Sequence, residues 1–245
     1  MPWHRGFVAI FGRVLREELR YRGPIPYWDW SADYYAPDES QIWSDFGGVG
    51  NPVRLPFGDL VTNFPTPDYK VSRDSIMLGK VTGLLDPQII NTLASSVGLS
   101  YDQFLSQLLT FSNQLHTLIG GTMGTFKYAG NDPLSILHLK NIDRIWAFWQ
   151  QLPGNQWKFP FPVKLADKKI SAEKNPNLDI TLPYFGLMDG LRPITIRDVM
   201  HTNGGAQGLM CFTYAKTIKP LHPRPKKKEV NEKSFVGRVD DNWWG

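Results

Sequence analysis

Five histidines, His4, His116, His138, His201 and His222, are the side chains of this 245-residue sequence best suited to metal or proton chemistry. Neutral imidazoles ligate copper or zinc. Histidines projecting inward from facing helices are one way in which a helical bundle holds a metal, because the helices fix the direction of each ring. His4, His116 and His138 each fall in a stretch with helical character. The competing reading of each, taken singly, is a core or boundary histidine hydrogen-bonded to a neighbour. The single cysteine, Cys211, excludes both an internal disulfide and a thiolate metal cluster.

Three helices must position these residues. His4, Val8, Phe11 and Leu15 recur at i, i+4, i+7 and i+11, with Arg13, Arg16 and Glu17 on the solvent side. That spacing predicts an amphipathic helix over 4–19 with His4 on its apolar stripe, ended by Gly23 and Pro24. Phe104, Leu108, Phe111 and Leu115 predict a second helix from Ser100 to Ile119, stopped by Gly120 and Gly121. Asp132 and Pro133 read as an N-cap and first-turn proline opening a third helix through Trp149. Between Ser31 and about Leu84, glycine, proline and polar residues predict a long irregular segment, which compact domains usually keep for a functional reason. Beyond Pro153, prolines alternate with short apolar runs, including Ile194–Ile196 and Leu209–Tyr214, and predict loops with a few short strands.

The composition is that of a folded chain, 42% hydrophobic with nine tryptophans. No apolar run approaches the ~20 residues needed to cross a bilayer, so no membrane span is expected. Nor is a signal peptide, since Met1 runs directly into Pro2-Trp3-His4-Arg5. Residues 1–215 hold 19 basic and 19 acidic side chains, whereas residues 216–245 hold 8 and 4. The basic run Arg224-Pro225-Lys226-Lys227-Lys228 is short and proline-interrupted, and reads as a solvated tail rather than a nucleic-acid surface.

Five strings then occur in a distinctive order: Pro2-Trp3-His4-Arg5; Pro26-Tyr27-Trp28-Asp29-Trp30; Asn113-Gln114-Leu115-His116 with Gly120-Gly121-Thr122-Met123; Asn131-Asp132-Pro133 leading through His138 to Ile142-Asp143-Arg144-Ile145-Trp146; and Cys211-Phe212-Thr213-Tyr214. On these strings the chain resembles the tyrosinase and catechol oxidase family in its fungal form, over residues 1–214. The resemblance implies a mainly α fold with a helix-bundle core, long irregular loops and a few short strands. Residues 215–245 are then a basic, flexible C-terminal tail. It also implies two copper ions, each bound by three histidines, and oxidation of phenols or catechols to quinones.

Matched position by position, the resemblance places His4 at the third CuA ligand, the first two belonging to an upstream segment that this chain does not contain. His116 matches the second CuB ligand. Ser112 stands at the first, four residues earlier, and Leu139 at the third. His138 matches a neighbour of that third ligand, and one step along a helix turns a side chain by about 100°, so His138 is not expected to take over the direction of Leu139. Gly12 and Ser135 replace an acidic and an aromatic residue usual in the family. Asp143, Arg144, Trp146, Trp28 and Trp30 are assigned to packing and buried hydrogen bonding.

The resemblance therefore implies an oxidoreductase scaffold from secondary metabolism or pigment formation, taking a small phenolic metabolite, with an incomplete copper site. Two alternatives stand beside it. One is a catalytically inactive member acting as a binding or regulatory protein. The other is a non-redox enzyme holding one zinc through His4, His116, His138 and a carboxylate.

Overall fold

The computed structural model describes residues 1–34, 37–74, 86–160, 171–183, 193–205, 210–215 and 236–238. At its centre is helix α6, Leu134–Gln150, with 14 of its 17 residues buried. A helix buried on nearly every side must have neighbours all round, and α6 does. Against it pack α1 (Pro2–Glu17), α3 (Pro87–Ala94) and the short strand β1 (Pro26–Trp28). Helix α4 (Tyr101–Ile119) joins it in one apolar core through Phe104, Leu108, Leu115, Ile145, Trp146 and Trp149. Phe104 stacks on Trp149 at 4.4 Å between ring centroids.

The short helices are α2 (Gln41–Asp45), α5 (Gly121–Gly124) and α7 (Ile196–Val199). The remaining strands are β2 (Val61–Thr62), β3 (Tyr69–Lys70), β4 (Asn203–Gly205), β5 (Met210–Cys211) and β6 (Val236–Arg238). They form three antiparallel pairs, β1 with β6, β2 with β3, and β4 with β5. The fold is mainly α, with a helical core and few short strands. Within the segment expected to be a free tail, Val236–Arg238 pair with β1, so backbone hydrogen bonding holds that part on the helical core. His222, the basic run 224–228 and the end of the segment 31–84 lie outside the described residues.

The helix ends follow local chemistry. Ser100 and Gln103 form a reciprocal capping box at the start of α4. Gly120 closes that helix at φ +67°, a conformation in which a Cβ would be strained. Asp86 caps α3 ahead of Pro87, the same Asp-Pro signal that opens α6, in the interval between the irregular segment and the helix read from Ser100. Ile194–Ile196 is not a strand: Thr195 makes one isolated bridge with Thr181 and caps α7, which begins at Ile196.

Two buried ion-pair networks tie these parts together. The Arg5 guanidinium lies 2.6 Å from Asp143, donates to Gln150 at 2.7 Å and to the carbonyls of Val199 and Met200, and stacks on Trp146 at 3.7 Å. Tyr214 donates to the other Asp143 oxygen. Arg144 pairs with Asp29 at 2.8 Å and lies over Tyr27. The Trp-His-Arg, Tyr-Trp-Asp and Ile-Asp-Arg strings are thus joined by charge as well as by ring packing. Independently, Arg73 grips Asp132 through two contacts of 2.7 Å and donates to the carbonyls of Phe46 and Gly48, holding the irregular segment against the start of α6.

Candidate functional site

His116 on α4 and His138 on α6 come together in the core, and His4 on α1 lies within electrostatic reach of both. The His116 and His138 rings lie edge to face, 4.9 Å between centroids. His138 is fully buried, with Trp30 packed 6.1 Å from it. His4 is close enough to both that a charge on any of the three would oppose a charge on another. His138 therefore does project toward His116, although one step of helix separates it from Leu139, which is half-buried.

Hydrogen bonds fix two of the rings. His116 Nδ1 lies 2.7 Å from the Met123 carbonyl, which can only accept, so the proton sits on Nδ1 and the Nε2 lone pair is left over. The turn formed by Gly120 and α5 brings that carbonyl back over the end of α4. His138 Nε2 lies 2.8 Å from the Ser112 hydroxyl. Ser112 is one helical turn before His116, so both side chains leave the same face of α4. The Nδ1 atoms of His4 and His138 are buried without a hydrogen-bond partner among the described residues. So is the Ser135 hydroxyl, at the position where the family resemblance leads one to expect an aromatic ring. Gly12 has a packing reason: a Cβ there would lie 2.4 Å from the Ile25 side chain.

All three imidazoles are held neutral by burial. His4 is lowered to about 4, chiefly by desolvation, and His116 and His138 are also lowered, with desolvation again the leading cause. A histidine depressed in the fold contributes stability above its unfolded value near 6.5, and that contribution is lost as pH falls toward the folded value. Stability should therefore drop between pH 6.5 and 4, by up to about 1.4 kcal/mol per pH unit for each histidine. Asp33 works in the opposite sense. Burial raises it to about 6, so its carboxyl favours the fold when protonated. Urea midpoints measured across this range check the balance: a net loss on acidification is expected, because the depressed histidines, His201 included, outnumber the one raised carboxyl.

His201 is elsewhere. Its ring stands edge-on to Trp157 at 4.3 Å, and its Nδ1 lies 3.0 Å from the Gln156 side chain. It borders a cavity of about 320 Å³ at the far end of α6, which the histidine cluster does not touch.

A helical core around α6 thus holds histidines carried by three helices, with buried arginine–aspartate pairs securing α1 and the irregular segments to α6. The family profile of the common central domain of tyrosinase matches residues 1–93 and 87–152, and the chain belongs to the tyrosinase family. It is 28% identical over 237 residues to the tyrosinase-like protein phomQ2 of Diaporthe leptostromiformis, a match covering 87% of this chain and 58% of that protein. It is 27% identical to tyrosinase ustQ of Aspergillus flavus, covering 87% of this chain and 63% of that one. The chain thus spans about three-fifths of the length of these relatives. A solved mutant polyphenol oxidase from Thermothelomyces thermophila shares the fold, with a TM-score of 0.60 and 19% identity over 86% of this chain and 71% of that one.

Copper is the metal of this family, so the donor set has to be measured against it. Two copper ions with three imidazoles each need six histidines, and the cluster has three. One of its nitrogens is occupied by Ser112 and another by a carbonyl. Among the described residues, no three histidine, cysteine or acidic side chains converge on one metal position. The described residues do not fit a copper pair. No helix among them is long and apolar enough to cross a membrane.

Proposed function

We propose that this chain carries the scaffold of the phenol- and catechol-oxidising enzymes of fungal secondary metabolism or pigment formation, with a histidine cluster too poor in ligands to run that oxidation by itself. It acts as a binding or regulatory protein toward a small phenolic metabolite. The observation that carries this reading is the 2.8 Å contact between Ser112 and His138 Nε2, a hydroxyl standing where the family resemblance calls for a facing imidazole. A neutral hydroxyl is a poor copper ligand beside imidazole. The names of the fungal relatives, tyrosinase-like protein and tyrosinase, support the chemical lineage.

Copper loading tests it. The reduced protein, equilibrated with excess copper, washed and exposed to oxygen, is expected to hold fewer than two copper ions per chain. It should show no peroxide-type absorption near the ultraviolet edge and form no quinone from catechol. Two bound copper ions together with quinone formation would establish the complete oxidase instead.

A second reading is favoured by His116. Its Nδ1 bond to the Met123 carbonyl is the kind of contact that orients a ligating histidine through the opposite nitrogen. On this reading His4, His116 and His138 supply the nitrogens for a single zinc that supports a non-redox reaction. Metal analysis of the purified protein finding one zinc and no copper would select it.

A further inference from the structure

The cavity at the C-terminal end of α6 lies twelve residues along that helix from His138, which at 1.5 Å per residue is about 18 Å from that histidine. We propose that it is a binding site for a small neutral polyhydroxylated molecule of about monosaccharide size. Its volume of about 320 Å³ stands at the small end of the range for small-molecule sites.

Its walls are held in place by the protein's own bonds. Gln150 accepts from Arg5 at 2.7 Å and donates to the carbonyls of Met200 at 3.1 Å and Gln156 at 3.2 Å, so its amide is spent on shaping the site. Gln156 in turn bonds His201 Nδ1 at 3.0 Å, and Trp157 braces the imidazole from its edge. A cavity shaped this way needs little reorganisation to accept a ligand.

The hydrogen-bonding capacity left over is what selects the ligand. When the Gln156 amide nitrogen donates to His201 Nδ1, the imidazole proton sits on Nε2 and the Gln156 side-chain oxygen remains an acceptor. Thr202 offers a hydroxyl and Gln151 a complete amide, and among the described residues neither side chain is taken by a protein hydrogen bond. The site thus alternates donors and acceptors. Among the described residues, no aspartate, glutamate, lysine or arginine lines it. An ion placed there would lose hydration with no opposite charge to meet it. A molecule with several hydroxyls, each able to donate and accept, matches the lining. The proposal is independent of how the histidine cluster functions.

The test is a titration of the whole chain with methyl β-glucoside, followed by NMR at the His201 imidazole and the glutamine side-chain amides. A saturable shift confined to these signals is expected, with the His116 signals unmoved. Thr202→Val removes one hydroxyl at nearly constant shape. Gln151→Leu removes an exposed amide that makes no hydrogen bond to the described residues. Each should weaken binding by roughly tenfold, the loss of about one good hydrogen bond. Benzoate and tetramethylammonium ions should neither bind nor compete. The proposal is overturned if His201 shows no saturable shift, if both variants bind the glucoside as well as the parent, or if either ion binds equally well.

Discussion

Asp143→Ala is expected to lower the stability of the chain by about 3–5 kcal/mol, enough to leave much of a domain of ordinary stability unfolded. Asp143 is 1% exposed and Arg5 is fully buried, so removing the carboxylate leaves a guanidinium in the interior with no opposite charge beside it. The loss spreads further, because Asp143 also accepts from Tyr214, and burial next to that carboxylate already pushes the Tyr214 phenol well above its ordinary value. Arg5 in turn holds Gln150 and the carbonyls of Val199 and Met200, which places α1, α6 and α7 on one charged group. Glu17→Ala is the control. Its partner Arg13 is 35% exposed and Glu17 is 56% exposed, and a surface pair of this kind contributes only about 0.3–0.5 kcal/mol. Urea denaturation of the two variants measures both. A cost at Asp143 no larger than at Glu17 would mean that the network does not secure the fold.

This contrast bears on what the sequence could disclose. Helices α1 and α4 are legible because their apolar residues recur at helical spacing and glycines mark the stop of α4, and α6 because Asp132 and Pro133 mark its start. Helix α3 carries a cap of the same kind in Asp86 and Pro87, but it spans only eight residues beside a glycine- and proline-rich stretch, and its pattern is too short to stand out. The Arg73–Asp132 pair was not legible at all. Its partners are 59 residues apart, and nothing local marks a buried arginine as different from an exposed one. The same holds at the candidate site. Sequence could place His116 and Ser112 on one face of α4, because that relation is internal to one helix. It could not give the rotation of α6 against α4, and that rotation decides which residue near position 138 faces His116.

Ser112→His is therefore expected to raise the affinity for copper(II) by at least about tenfold, whereas Leu139→His alone should leave it unchanged. The tenfold figure is a lower bound, since groups that merely orient a metal ligand already change affinity by about 10–100-fold. Ser112 Oγ lies 2.8 Å from His138 Nε2, and Ser112 shares a helix face with His116, whose Nε2 lone pair is uncommitted. An imidazole at position 112 would stand between these two rings and release the His138 nitrogen that the hydroxyl now occupies. Leu139 is turned about 100° from His138 around α6, so an imidazole there points away from that pair. Calorimetric titration gives the affinities, and electron paramagnetic resonance of the bound copper counts its nitrogen ligands. Adding His138→Ala to Ser112→His should abolish the gain and remove one nitrogen from the spectrum. If Leu139→His proved to be the variant that gains copper, α6 would have to sit in the register that the family resemblance implies, and His138 would return to being a neighbour of the metal rather than a ligand.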